Sequence, residues 1–189
     1  DQFHDGLDVG DIGCGSGIAL SILAEAFPAS RFVGYDFSPE SVAAARERAE
    51  ALGLDNVRFE VRDAAKLGDE ASFDLITSFD AIHDQARPRD VLTGIHRALR
   101  PGGRYLCVEP KASSCLHENQ DMMTAPFIYT ISTMHCMTVS MAYGGPGLGT
   151  AWGEQMAVEW LTDAGFADID VTGVPDDRPN TYYLARKPH

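Results

Sequence analysis

Val9 to Gly17 reads VGDIGCGSG: a largely apolar run, an aspartate, then three glycines at Gly13, Gly15 and Gly17, each separated by one residue. Glycines this dense after an apolar run mark a strand ending in a tight turn where a ligand approaches the backbone. The spacing separates the possible ligands. A P-loop requires a lysine after its last glycine, and Ile18 follows Gly17. A dinucleotide fingerprint requires its third glycine at position 18, again occupied by Ile18. The remaining pattern is G-x-G-x-G with Asp11 two residues ahead of it, which suits a ligand without a pyrophosphate. An acid at a strand end holds an amine, and the start of a helix near Ser16 takes a carboxylate. An amino-acid moiety carries both groups.

Working outward, strand and helix signals alternate. Gly6–Ile12 reads as the first strand and Ser16–Phe27 as a helix stopped by Pro28. Arg31–Asp36 is the second strand. The helix after it is punctuated by Ser38 as cap, Pro39 in the first position, Glu40 at the positive end and Gly53 at the exit. Asn56–Val61 alternates with period two as the third strand, and Phe73–Phe79 is the fourth. A helix over about Pro88–Leu99, a turn at Pro101–Gly103 and a fifth strand at Arg104–Glu109 follow. The alternation implies βαβ units and a mainly parallel sheet. After a helix with Gly165 as its exit, ADIDVTGV and TYYLAR are two strands joined by a polar, proline-containing turn. With no helix between them, they pair antiparallel. Residues 110–153 are too long for a simple connection and are expected to form a lid or substrate wall. Within them, Ala125–Tyr143 reads as one helix with Thr124 as its cap, and GGPGLG reads as a mobile run.

The 189 residues suit one domain, residues 1–189, with a single well-filled core. The formal charge of −13 argues against nucleic acid, and no apolar run approaches a membrane span, so neither is expected as a partner. Four cysteines without C-x-x-C spacing read as reduced thiols in the cytoplasm. The chain opens on Asp1 with its first strand almost at once, which is expected of a domain that another segment precedes.

The strand ends carry the functional signal. Asp36, ending the second strand, suits both hydroxyls of a ribose, and Phe37 beside it suits a purine face. Asp63 ends the third strand, where it can accept from an adenine amino group, and Phe79 and Asp80 end the fourth. One such aspartate is a turn residue. Asp11, Asp36 and Asp63 at successive strand ends favour a nucleoside with an amino-acid tail.

DIGCGSG, VGYDFSPE, VRFEVRDA, FDLITSFDAIHD and LRPGGRYL, in that order, resemble the motifs of class I S-adenosylmethionine-dependent methyltransferases, as does the ending WLTDAGF with two strands. The resemblance implies a Rossmann-like, doubly wound seven-stranded α/β sheet, mostly parallel with an antiparallel last strand, plus the helical insertion. It implies S-adenosyl-L-methionine as cofactor and S-adenosyl-L-homocysteine as product. The contacts it implies fall on Asp11, Gly13, Cys14, Gly15, Gly17, Asp36, Phe37, Asp63, Ala64, Phe79 and Asp80. KASSCLHEN, PFIYTISTMHCMTVS, GGPGLGTAWGE and NTYYLA further resemble a subgroup whose N-terminal winged-helix domain, missing from this chain, helps to make a homodimer.

Methyl transfer from a sulfonium needs chiefly a placed nucleophile and excluded water, with a base only where the acceptor must lose a proton. His83 is the first candidate base, or else hydrogen-bonds a neighbouring loop, and Glu109 at the end of the fifth strand is the second catalytic candidate, or else a structural carboxylate. Asp84 either orients His83 or caps the following segment, and capping is the favoured reading. His135 and Cys136 raise the thought of a metal, but no second cluster stands at ligand spacing, so no metal is expected and His135 reads as a packed core histidine. Met134, Met137, Met141, Phe127 and Tyr129 read as an apolar wall, and Trp152 either closes the pocket or anchors the last helix. Residues 79–82 are FDAI, with neither an amino-methylation D-P-P-Y tetrad nor a Pro-Cys pair, so a small, rather apolar acceptor remains. The competing reading is a non-catalytic sensor of S-adenosylmethionine that signals through the missing domain.

Overall fold

The glycine turn closes the first strand, β1 (Asp8–Ile12), and pins it to the second, β2 (Arg31–Asp36): the Gly13 and Cys14 N–H groups both donate to the Tyr35 carbonyl. The computed structural model describes residues 2–189. After a short helix α1 (Gln2–Asp5) and β1 come α2 (Ile18–Ala26), β2, α3 (Pro39–Ala51), β3 (Val57–Val61), β4 (Phe73–Phe79), α4 (Pro88–Ala98) and β5 (Leu99–Pro110). The insertion holds α5 (Ala125–Ile131), a π turn (Ser132–Cys136) and α6 (Met137–Ala142). The chain closes with α7 (Glu154–Asp163), β6 (Ala167–Val174) and β7 (Asp177–Arg186).

The seven strands lie in the order β3-β2-β1-β4-β5-β7-β6, with β1 to β5 parallel and β7 antiparallel to both of its neighbours. Successive side chains of a strand face opposite sides, so Phe32 and Val33 enter different cores. Phe32 joins Val9, Leu20, Val42, Ala45 and Phe59 under α2 and α3. Val33 joins Ile12, Ile76, Leu92, Ile95, Leu161 and Phe166 under α4 and α7.

The three glycines of the turn all have left-handed φ, between 53° and 72°, but for different reasons. A Cβ on Gly17 would sit 2.6 Å from the Phe59 ring and 2.8 Å from Ala45, so this glycine lets α2 settle onto β3. A Cβ on Gly13 would meet that of Ala81 at 2.6 Å, whereas one on Gly15 meets nothing within 4 Å. Gly17→Ala is therefore expected to cost roughly 2–3 kcal/mol of stability, from left-handed strain plus overpacking. Gly15→Ala carries the strain alone, about 1–2 kcal/mol. Urea unfolding of the two variants checks this; equal losses contradict the packing assignment.

Several local expectations change. Helix α2 begins at Ile18 with Gly17 as its cap and no side-chain cap bond, so Ser16 lies before it. Strand β5 starts at Leu99 and runs through Pro101–Gly103, with a register shift against β4 instead of a free turn. The last two strands turn tightly at Pro175–Asp176, and β7 extends back to Asp177. The single helix expected over Ala125–Tyr143 carries a π turn at its centre, and Thr124 makes no side-chain cap bond. The glycine run Gly144–Gly149, expected to be mobile, is in part tightly packed. A Cβ on Gly145 would lie 2.6 Å from the Ala86 backbone and one on Gly149 2.0 Å from Ser132 Oγ. The helix after β2 matches its punctuation: Ser38 Oγ accepts from the Ser41 N–H, Pro39 opens the helix, and Gly53 leaves it with φ 66°.

Candidate functional site

The carboxyl ends of β1 to β4 surround a cavity of about 610 Å³, where open α/β sheets place their ligands. Asp36 lines it. Its Oδ2 accepts from the Gly15 N–H and its Oδ1 from the Ser38 N–H, both at 2.9 Å. One carboxylate thus fixes the glycine turn and the start of α3 together, leaving its outward lone pairs for a ligand. Phe37 is half exposed at the rim and meets Tyr143 edge-to-face, with ring centroids 5.6 Å apart. Gly13, Asp63, Ala64 and Asp80 also line the cavity, and Val139 and Tyr143 close it from the insertion. Asp63 Oδ1 caps the short 3-10 turn Ala64–Lys66 by accepting from the Ala65 N–H, while Oδ2 accepts from Arg87 at 2.7 Å. Asp80 is a non-glycine residue in the left-handed region, φ 50°, a conformation concentrated at functional sites.

The other expected contacts lie beneath or beside the cavity. Asp11 is buried, its Oδ1 accepting from the Thr77 hydroxyl at 2.7 Å. Burial raises its pKa to about 7, against the hydrogen bond from Thr77 and with the nearby Asp36 charge. The folded state therefore binds a proton that the unfolded chain has already lost between about pH 4 and 7. The associated stability is full below that range and is lost as pH rises through 7. In Asp11→Asn the fall in stability from pH 5 to pH 8 is expected to be smaller than in the parent. Urea unfolding at the two pH values measures it, and identical slopes would refute the assignment. Cys14 and Gly15 belong to the turn itself, Gly17 packs on Phe59, and Phe79 ends β4 half exposed outside the cavity lining.

On the other side of β4 lies a second polar group. Glu109 is completely buried at the end of β5. It accepts from the Ile82 N–H at 2.9 Å and from Trp152 Nε1 at 3.3 Å, and it is in close contact with His83 Nδ1. Burial opposes charge on His83, but hydrogen bonding to Cys136 and Glu109 outweighs it and pushes the pKa up. Asp84 caps nothing: its Oδ1 lies 3.3 Å from His83 Nε2, and burial leaves it without a hydrogen-bond partner. Trp152 is buried, holding Glu109 and packing against Trp160. His135 is exposed, correcting the expectation of a core histidine, because the π turn directs Cys136 inward instead. Phe127, Met134 and Met141 are largely exposed, so they do not wall the cavity.

Sequence reasoning missed Tyr143, Arg62 and Arg87 at the cavity and Cys136 beside His83. None has a local spacing signal, because each arrives from a different element.

A family model described as a methyltransferase domain matches residues 3–165. Over 100 residues the chain is 37% identical to a demethylmenaquinone methyltransferase of Thermus thermophilus, covering 52% of this chain and 45% of that one. It is 33% identical over 104 residues to a ubiquinone biosynthesis O-methyltransferase of Cereibacter sphaeroides, covering 54% of this chain and 40% of that one. The chain thus spans less than half the length of these curated relatives. Among solved structures, the S-adenosylmethionine-dependent methyltransferase SibL in its apo form superposes with a TM-score of 0.77. The identity is 21%, over all of this chain and 52% of that one.

Proposed function

We propose, from the premise that this chain belongs to the class I S-adenosylmethionine-dependent methyltransferases, that it transfers a methyl group to a small, mainly apolar acceptor. The observation that carries the reading is the Asp36 carboxylate, held by the Gly15 and Ser38 N–H groups and lining an open cavity. The residues fit the cofactor. Gly15 has room in front of it, Asp36 retains acceptor capacity for two ribose hydroxyls, and Phe37 and Tyr143 offer aromatic faces to a purine. Asp63 and Ala64 take the purine edge, and Asp11 balances an amine from below.

When bound, S-adenosylmethionine supplies a methyl group already activated by a sulfonium. The chain's own part is to hold the nucleoside at Asp36, to shield the site with Val139 and Tyr143, and to orient an acceptor near His83 and Glu109. The related quinone-biosynthesis enzymes support an acceptor of phenol or quinol type. The lid role of residues 110–153, the cytoplasmic setting and a dimer formed through an N-terminal winged-helix domain belong to the same proposal. No observation favours the sensor reading. Incubation with methyl-labelled S-adenosylmethionine and a panel of phenols, quinols and fatty acids tests it: label is expected in an extractable small product, and its absence across the panel from a cofactor-binding protein rejects catalysis.

A further inference from the structure

His83 and Asp84 follow β4, whereas Cys136 is the last residue of the π turn in the insertion. The fold nevertheless brings one ligand atom from each within 4.8 Å of the others. We propose that His83, Asp84 and Cys136 form a three-ligand site for a zinc ion, its fourth position open to water or to an oxygen of the methyl acceptor. This departs from the expectation of no metal.

Four observations carry it. Nitrogen, carboxylate oxygen and thiolate sulfur together are a donor set suited to zinc. Tetrahedral zinc with bonds of about 2.0–2.3 Å sets its ligand atoms roughly 3.3–3.8 Å apart. The 3.3 Å from His83 Nε2 to Asp84 Oδ1 is already such an edge, and Cys136 Sγ, which also lies 3.0 Å from Thr150 Oγ1, is within 4.8 Å of both. Asp84 Oδ1 is a buried acceptor with nothing to accept from, an arrangement that costs free energy unless a cation takes it. Finally, Glu109 occupies His83 Nδ1 and is itself fixed by Ile82 and Trp152, so Nε2 is the nitrogen left to coordinate. A carboxylate behind a histidine is how metal-binding imidazoles are commonly oriented. A π turn is also a frequent device for turning one side chain into a functional site, here Cys136.

Asp84 lines the cofactor cavity, so an ion here sits at its wall. Three protein ligands and an open position are the arrangement of catalytic zinc, which lowers the pKa of a bound oxygen. A metal-bound acceptor hydroxyl would lose its proton to solvent without a separate protein base. This role rests on the function proposed above; ion binding itself does not.

The test is made on chelator-dialysed protein by zinc calorimetry and by cobalt(II) substitution. One zinc per chain is expected, with the thiolate-to-cobalt charge-transfer band and the visible bands of four-coordinate cobalt. Cys136→Ser is expected to abolish the charge-transfer band, and Glu109→Gln to weaken zinc binding by about 10–100-fold. Cys115→Ser, at an exposed thiol, is expected to change neither. No zinc heat and no band, or a band that survives Cys136→Ser, overturns the proposal. If Cys136→Ser fails to fold by circular dichroism, Asp84→Asn replaces it, and unchanged zinc affinity there overturns it equally. S-adenosylhomocysteine is titrated into the same sample. Cofactor binding without zinc binding rejects the metal site alone, and zinc binding without cofactor binding rejects the cofactor reading alone.

Discussion

Replacing Asp36 with alanine is expected to raise the dissociation constant for S-adenosylhomocysteine by about 100-fold or more. The carboxylate has two tasks. In the proposed function it offers charge-assisted acceptors to the ribose hydroxyls, each such bond contributing roughly 1.5–3 kcal/mol. It also holds the Gly15 and Ser38 N–H groups at 2.9 Å, so its loss frees the turn that must stay open for the cofactor. Asp36→Asn separates the tasks, because its single carbonyl oxygen can keep only one of these acceptor roles. An intermediate loss is expected for it. Isothermal calorimetry measures both variants, and alanine affinity within threefold of the parent would remove Asp36 from the cofactor site.

Glu109→Ala is expected to lower stability by about 3–5 kcal/mol, the cost of breaking a buried charged pair. For a domain of this size that corresponds to a fall in Tm of roughly 6–20 °C. Glu109 is wholly inaccessible and satisfies three donors, from Ile82, His83 and Trp152. Alanine leaves all three facing a cavity with no acceptor. Calorimetric unfolding of metal-free protein measures the effect. A loss below 1 kcal/mol would mean that water enters and replaces the carboxylate, making Glu109 a replaceable partner and not the anchor of this region.

The order of strands and helices was legible because its signals are local. Period-two alternation, the Ser38-Pro39-Glu40 start and the Gly53 exit each act within one turn of chain; the helix signals hold, and the third strand forms at Val57–Val61, although Val61 on the expected inner face is exposed. The cavity-lining aspartates were legible for a related reason. A strand end is both a sequence boundary and a place in space, so Asp36, Asp63 and Asp80 reach one cavity without any long-range information. What escaped was long-range. Nothing near Cys136 announces His83, 53 residues earlier, and nothing in TMHCMT announces the π turn that selects the cysteine over His135. The roles of the glycines escaped as well. Gly13 and Gly17 serve packing against Ala81 and Phe59, and only the neighbours reveal that Gly15 alone faces open space. Likewise, Pro101–Gly103 has the composition of a turn, but pairing with β4 begins at Leu99 and carries it as an irregularity within a longer strand.

The position of β7 between β5 and β6 governs how such a chain must be made. On the ribosome, β5 emerges long before β7, the strand that will pair with its free side. Until then the nascent sheet has an unpaired edge, ending at Glu109, that any extended segment could occupy. Strands β1 to β4 can pair during synthesis, whereas the free side of β5 waits for β7 to thread into place. A chain that keeps this edge from other extended segments until β7 arrives is less exposed to misassembly.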